Sequence, residues 1–175
     1  RVVQASTRAS VETGGYEAYD GPYWAVRSPA YYLDDLVHDH IPAFLVGGWN
    51  DLFQQGELQN YTSLQNLYSG RPAAAAMAPG QVATPRYQLL MGPWMHVTTG
   101  AGIDLSAIQL EWFDTWLLGQ HTPLASTTTP LHLYQLGSGR WLDGSTWPLA
   151  PGAATAFYLG AGRSGSDPVS TNDGT

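Results

Sequence analysis

The sequence predicts an α/β fold with a parallel sheet, and the pattern of apolar residues supports this prediction. Residues 41–46 and 87–91 are short, largely apolar runs, typical of strands that are buried on both faces of a parallel sheet. A helical pattern follows each run, so strand and helix alternate along this part of the chain. Each run ends in a loop that begins with glycine, at Gly47 and Gly92. Side chains beyond these glycines would lie at the carboxyl edge of the sheet, where open α/β sheets bind ligands.

Two helices are predicted from apolar periodicity and end signals. The first covers about residues 56–68, and Gly70 is expected to end it. Its inward-facing residues are expected to be Leu64, Leu67 and Tyr68. The second helix has Asp104 as its N-cap and ends at Gly119. Its apolar residues recur at steps of three and four, which predicts one broad buried face: Leu105, Ile108, Trp112, Phe113, Trp116 and Leu117.

The segments around these elements are predicted from turn residues and composition. Residues 1–40 are rich in aromatic residues, proline and glycine, and are expected to form loops with one short helix at residues 30–37. Residues 71–85 are mostly alanine, proline and glycine and are expected to form an exposed, flexible loop. After the second helix the apolar period changes to two, which predicts strands at residues 131–136 and 155–159. A β-rich region is therefore expected to begin there.

Composition excludes several classes of protein. The hydrophobic share of 43% and the seven tryptophans indicate a packed globular chain. Seven Lys and Arg residues against fourteen Asp and Glu residues give a net charge of −7, so nucleic acid is not an expected partner. The chain has no cysteine, which excludes a thiolate nucleophile and a zinc–thiolate site. No apolar run reaches the roughly 18 residues of a membrane span, so we expect a soluble protein, either cytoplasmic or secreted.

Asp51 and His96 are the candidate catalytic residues. Each follows one of the predicted strands, so both are expected at the same edge of the sheet. In hydrolytic triads built on such sheets the chain order is nucleophile, acid, base, and Asp51 precedes His96. The carboxylate would accept a hydrogen bond from Nδ1–H of the imidazole, so that Nε2 can take a proton from the nucleophile. We predict that Trp49 and Trp94, the candidate substrate-binding residues, wall this site and exclude water.

The sequence does not identify a nucleophile. No G-x-S-x-G motif occurs, and Ser6, Ser10 and Ser28 lack the small neighbours that a sharp turn from strand to helix requires. Ser138 and Ser164 come after both candidate partners and are expected in turns. We therefore expect the nucleophile and the oxyanion hole to precede residue 1, and the chain alone to be inactive.

The other polar candidates have simpler explanations. Residues 34–40 contain carboxylates and imidazoles that could bind a metal, but a solvated helix end explains them better. Glu111 and Asp114 are predicted to be surface charges on the polar side of the second helix. His121 and His132 have no acid nearby in the sequence and are predicted to be structural. The sequence thus predicts neither a metal nor a cofactor.

Four motifs, in this order, resemble one hydrolase family. They are residues 19–29 (YDGPYWAVRSP), 41–51 (IPAFLVGGWND), 90–96 (LMGPWMH) and 111–119 (EWFDTWLLG). The chain is similar to the C-terminal half of CocE/NonD acyl esterases, the cocaine esterase-like group related to α-amino-acid ester hydrolases and X-Pro dipeptidyl-peptidases of family S15. The resemblance covers nearly the whole chain. One departure is Asn50-Asp51-Leu52, where many relatives have Tyr-Asp-Gly.

The resemblance implies a domain organisation. Residues 1–122 would form the C-terminal part of an α/β-hydrolase catalytic domain, with residues 1–40 as a cap or connecting segment. Residues 123–175 would begin a C-terminal β jelly-roll domain. Trp141 and Trp147 fit a W-x-x-x-x-x-W-P-L segment of that domain.

The resemblance also implies a function, that of a serine hydrolase of which this chain is a fragment. The family's acid and base fall on Asp51 and His96, whereas its serine and oxyanion tyrosine have no counterpart here. The intact protein is expected to cleave a small-molecule ester, or an amide, through an acyl-enzyme intermediate. The alternative is a non-catalytic binding module in which Trp141 or Trp147 stacks on a sugar or aromatic ligand. Specificity and the formation of a homo-oligomer stay open.

Overall fold

A mixed four-stranded sheet forms the centre of the protein, for which a computed structural model describes residues 2–19, 21–149 and 155–157. The strands, in spatial order, are β1 (Ala43–Gly48), β2 (Tyr87–Gly92), β3 (Leu131–Gln135) and β4 (Arg140–Gly144). The first three strands run parallel, and β4 is antiparallel to β3. Helices combined with a largely parallel sheet agree with the predicted α/β class.

The structure describes six α-helices. They are α1 (Val2–Glu12), α2 (Pro22–Ala25), α3 (Leu33–His38), α4 (Gln54–Tyr68), α5 (Leu105–Trp116) and α6 (Pro123–Ser126). Both helices predicted to follow the strands are present, as α4 and α5. The Asp104 side chain accepts a hydrogen bond from the Ala107 backbone N–H and caps α5 as predicted. Gly70, with a φ of 68°, ends α4 in the left-handed conformation. Among the described helices, none combines the length and apolar character needed to cross a membrane.

Helix α1 contradicts the expectation that residues 1–40 contain only one short helix. No glycine or proline interrupts this helix, and Gly14, with a φ of 69°, follows its end. A 3₁₀ turn at Pro29–Tyr32 leads directly into α3. Together these two elements form the short helix predicted at residues 30–37.

The main core lies between α4 and the sheet. Its buried residues are Tyr61, Met77, Leu89, Met91, Leu131 and Leu133. Strand β2 is buried at all six positions, as predicted for a strand covered on both faces. Strand β1 is buried only at Gly47 and Gly48, because it lies at the edge of the described sheet. The prediction of full burial is therefore wrong for β1.

Residues 71–85 form neither helix nor strand, yet they pack against α4, which corrects the prediction of an exposed loop. Met77 belongs to the main core and is only 8% exposed. The fully buried side chain of Gln65 donates from Nε2 to the carbonyl groups of Thr84 and Tyr87 and accepts the Thr84 N–H at Oε1. One buried amide therefore clamps the end of this segment to α4.

The broad buried face predicted for α5 is only partly formed. Trp112 and Thr115 are buried. In contrast, Phe113 is 54% exposed, and Leu117, just after the helix, is 74% exposed. Tyr68, which was expected to pack inward from α4, is also 49% exposed.

Strands β3 and β4 continue the central sheet. Gly137 and Gly139 both have positive φ angles and lie in the turn between these strands. Residues 155–157 have no regular secondary structure, so the strand predicted at residues 155–159 is wrong there, and its last two residues lie outside the described range. The jelly-roll domain and the boundary after residue 122 stay predictions.

Candidate active site

Strands β1 and β2 end side by side at the edge where the catalytic residues are expected. In the parallel register Gly48 is the partner of Gly92. A Cβ atom on Gly48 would collide with the Trp94 carbonyl, and one on Gly92 would lie 2.5 Å from the Trp94 indole ring. Glycine at both positions therefore allows the loop after β2 to pack directly over the strand ends.

Two backbone hydrogen bonds join the loops that follow these strands. The Trp49 N–H donates to the Gly92 carbonyl at 2.9 Å, and the Asn50 N–H donates to the Trp94 carbonyl at 3.0 Å. The backbone that leads to Asp51 is thereby held against the backbone that leads to His96. The pairing brings together two residues that are 45 positions apart in the sequence.

Asp51 and His96 form a hydrogen-bonded pair. The distance between His96 Nδ1 and Asp51 Oδ2 is 3.1 Å. The Asp51 side chain is only 7% exposed, whereas the His96 side chain is 56% exposed. Asp51 Oδ1 accepts the Phe53 backbone N–H at 2.9 Å, so both carboxylate oxygens have partners. In the described part of the chain no group is hydrogen-bonded to His96 Nε2, which leaves that nitrogen available to a reacting group.

The surroundings of Asp51 favour its ionised form. The backbone N–H of Phe53, together with the side chain of His96, lowers the pKa of Asp51 despite the opposing effect of burial. A carboxylate anion beside Nδ1 keeps the proton on that nitrogen and stabilises the imidazolium that forms when Nε2 is protonated. The geometry and the charge therefore suit an orienting acid and a general base.

Glu57 is a second carboxyl group at this edge, and the sequence analysis did not include it. It lies in the first turn of α4, and its Cγ atom is 2.9 Å from the position that a Cβ atom on Gly47 would occupy. Burial, followed by the negative charge of Asp51, raises the pKa of Glu57. In the sequence, the feature that could have pointed to Glu57 is its position, an acidic residue six positions after Asp51 at the start of a helix.

Exposed apolar side chains lie in the two loops that carry Asp51 and His96. The Phe53 ring packs edge-to-face on the imidazole, with 5.3 Å between the ring centroids. We call the exposed apolar residues of the two loops the apolar rim: Leu52, Phe53, Met95 and Val97. The sequence analysis did not predict this rim, which offers an apolar surface to a substrate next to Nε2.

Trp49 and Trp94, the predicted walls of the site, make structural contacts. Trp94 is 3% exposed, and its Nε1–H donates to the Ala101 carbonyl at 2.8 Å. The Nε1–H of Trp49 donates to the Tyr134 carbonyl of β3 at 2.6 Å, and its ring packs against the main core. Contact of either indole with a substrate stays a prediction.

Trp141 and Trp147, the residues of the binding-module alternative, also pack against other rings. The Trp141 centroid lies 6.0 Å from that of Trp94 and 5.4 Å from that of Tyr134. Trp147 lies 6.1 Å from Trp49 and packs against the main core.

The helix end at residues 34–40 contains one close polar pair. His38 Nδ1 lies 2.8 Å from Asp39 Oδ1, and the hydrogen bond with Asp39 raises the pKa of His38. Across the described ranges, no group of three or more acidic or histidine side chains could hold a metal ion. Glu111 is half-buried and its Oε1 atom has no partner among the described residues, so the prediction of a surface charge is wrong for Glu111.

Comparisons with known proteins identify the family of the chain. The family model described as X-Pro dipeptidyl-peptidase (S15 family) matches residues 5–98, a range that contains both Asp51 and His96. The chain is 28% identical over 148 residues to cocaine esterase of Rhodococcus sp. (strain MB1 Bresler), an alignment that covers 77% of this chain and 22% of that protein. The chain thus spans 22% of the length of this curated relative.

Both similarities suggest a hydrolase. Because the family model matches more than half of its residues, the chain belongs to the X-Pro dipeptidyl-peptidase (S15) family, in which it is related to cocaine esterase-like acyl esterases.

Proposed function

We propose that this chain supplies the acid and the general base of a serine hydrolase that cleaves esters or amides through an acyl-enzyme intermediate. The observation that carries the proposal is the hydrogen bond between Asp51 and His96 at the ends of two adjacent parallel strands. In this proposal the serine and the oxyanion hole come from polypeptide outside the 175 residues.

Each proposed step uses the proton at Nε2 of His96. This nitrogen takes the hydroxyl proton while the serine oxygen attacks the carbonyl carbon of the substrate. The resulting imidazolium is stabilised by the anionic Asp51 and then protonates the leaving group. A water molecule then gives a proton to Nε2 as it attacks the acyl-enzyme, and the imidazolium returns this proton to the serine oxygen as the acid is released. The apolar rim contacts the apolar part of the substrate, while Trp49 and Trp94 support the two loops.

Substitution of the two residues in the whole protein tests this proposal, with p-nitrophenyl butyrate as the substrate. Asp51→Asn keeps the shape of the side chain but no longer fixes the tautomer of His96, so kcat should fall about 10³- to 10⁴-fold. His96→Ala should reduce kcat at least as far, because the general base is removed. His121→Ala changes an exposed histidine outside the pair and serves as the matched control. Undiminished kcat in His96→Ala would exclude the proposed role.

We further propose that an ester is preferred to a peptide bond. The rim beside His96 consists of apolar side chains, which suit the acyl or alkyl part of an ester. The ratio of kcat/KM for p-nitrophenyl butyrate to that for glycyl-proline p-nitroanilide measures the preference. A higher value for the anilide would instead assign a dipeptidyl-peptidase activity.

The binding-module alternative has less support. It assigns no role to the hydrogen bond between Asp51 and His96, and the ring of Trp147 packs against Trp49 and the main core.

A further inference from the structure

A second histidine–aspartate pair lies on the hairpin of β3 and β4. His132 and Asp143 are directly opposite each other in the antiparallel register, and His132 Nδ1 lies 2.6 Å from Asp143 Oδ1. The His132 side chain is 25% exposed and that of Asp143 is 58% exposed. The acid partner lies across the hairpin, where no local sequence pattern indicated it. Because the two backbones are hydrogen-bonded strands, the position of this pair is fixed by the sheet.

This pair lines a cavity of about 280 Å³. The other walls are apolar side chains from the sheet, from α5 and α6, and from the loop before α5: Phe44, Leu90, Ile103, Ile108, Leu124 and Trp141. The volume is near the lower end of small-molecule pockets, which are roughly 300–1,000 Å³. The lining residues include neither Asp51, His96 nor any residue of the apolar rim, so this cavity is distinct from the candidate active site, although Ile103 comes from the loop that also carries His96.

The polarity of the pair selects the kind of ligand. Since Asp143 accepts the hydrogen bond from Nδ1, a neutral imidazole has its free lone pair on Nε2. In the described structure, Asp143 is the only hydrogen-bond partner of the His132 imidazole. The carboxylate of Asp143 beside the imidazole disfavours an anionic ligand, and a lone pair on Nε2 favours a neutral hydrogen-bond donor. The apolar walls favour a ring or an alkyl body.

We propose that this cavity binds a small neutral phenol or aromatic alcohol. The hydroxyl group donates a hydrogen bond to Nε2 of His132, and the ring contacts the apolar walls. This binding site goes beyond the proposed hydrolysis, because none of its residues takes part in the proposed catalytic steps.

Two probes of nearly equal shape test the proposal on the unmodified whole protein. p-Cresol carries a hydroxyl donor, and p-xylene has a methyl group in its place. In ligand-observed NMR titrations, p-cresol should show saturable binding, and p-xylene should bind about five- to tenfold more weakly, because one hydrogen bond is lost in an apolar site. Equal affinity of the two probes, or no saturable binding of p-cresol, would overturn the proposal.

Variants then locate the bound p-cresol. Ile108→Phe fills the cavity and should weaken p-cresol binding at least tenfold. Asp143→Asn should remove the preference for p-cresol over p-xylene, whereas Asp39→Asn, which alters the exposed pair with His38, should leave it unchanged. His96→Ala should not affect the affinity for p-cresol. Loss of binding in His96→Ala, or unchanged binding in a folded Ile108→Phe variant, would place the ligand elsewhere.

Discussion

The two oxygens of the Asp51 carboxylate have different partners. Oδ1 accepts a hydrogen bond from the backbone N–H of Phe53 in its own loop, and Oδ2 accepts one from Nδ1 of His96. The first bond orients the carboxylate independently of the imidazole. Because the Phe53 ring also packs on the His96 ring, one residue orients Asp51 through its backbone and His96 through its side chain.

At the same scale, the raised pKa of Glu57 predicts a pH-dependent effect on stability. A carboxyl group whose pKa is higher in the folded than in the unfolded chain stabilises the fold below the unfolded pKa, and this contribution is lost as the pH rises through the folded value. Glutamine removes the charge with little change in shape. Glu57→Gln should therefore unfold at a higher temperature than the wild type at neutral pH, and the gain should disappear below about pH 4.

Calorimetry of the whole protein at several pH values measures this gain. The control is Glu12→Gln, because Glu12 is an exposed carboxylate paired with Arg8 and such pairs contribute little to stability. A gain of equal size in acid and at neutral pH would contradict the assigned cause.

Among the elements, α4 connects the candidate site to the core. Its first turn carries Glu57, beside the end of β1, and its middle carries Tyr61 and Gln65, which are fully buried. The Tyr61 hydroxyl donates to the Ser145 carbonyl, which ties α4 to the segment after β4. The same helix therefore contacts the site, residues 71–85 and the C-terminal hairpin region.

Because Gln65 clamps residues 71–85 to α4, we expect its substitution to lower the free energy of unfolding strongly even when the volume of the side chain is kept. Gln65→Met removes three hydrogen bonds and leaves the buried Thr84 N–H without a partner. The free energy of unfolding should fall by about 2–4 kcal/mol. Gln59→Met, at an exposed position on the same helix, should change it by less than about 0.5 kcal/mol.

Urea unfolding of the whole protein measures the free energy of unfolding of Gln65→Met and of Gln59→Met. If Gln65→Met were no more destabilising than Gln59→Met, residues 71–85 would not depend on the clamp.

The elements and the pairing of Asp51 with His96 were predictable where local patterns determine them. Apolar runs and capping residues predicted β1, β2, α4 and α5. The contact of Asp51 with His96 was predictable because parallel strands place their carboxyl ends at one edge.

The missed features depend on contacts between distant parts of the chain. Alanine-rich composition at residues 71–85 does not indicate that Gln65 and the core hold this segment. The positions of Phe53 and Glu57 depend on how the loop after β1 turns into α4, and no periodicity indicates that turn. The partner of His132 lies across a hairpin, eleven residues away.

At the scale of the whole molecule, two surfaces of the described structure favour association. Strand β1 pairs only with β2 in the described sheet, so its other edge has unpaired backbone groups. Exposed apolar side chains lie on and just after α5: Leu110, Phe113, Leu117 and Leu118. Apolar patches of this kind associate in water when no other surface covers them.

We therefore expect the 175-residue chain, produced by itself, to self-associate as its concentration rises. The double variant Phe113→Lys and Leu117→Lys should reduce the mean mass measured by light scattering, because lysine cannot be buried in an apolar contact without cost. Val82→Lys removes a single exposed apolar residue from residues 71–85 and is the matched control. An equal effect of the control would show that net charge, rather than the apolar face, governs association.

The two backbone bridges between the loops have a consequence for the evolution of specificity. They are made by Trp49 and Asn50 with main-chain carbonyl groups, so they do not depend on which side chains the neighbouring loop positions carry. Leu52, Met95 and Val97 can therefore be exchanged while the acid and the base keep their spacing. In the proposed hydrolase, such an arrangement would separate the reaction, which the main chain preserves, from the choice of substrate, which a few surface substitutions can alter.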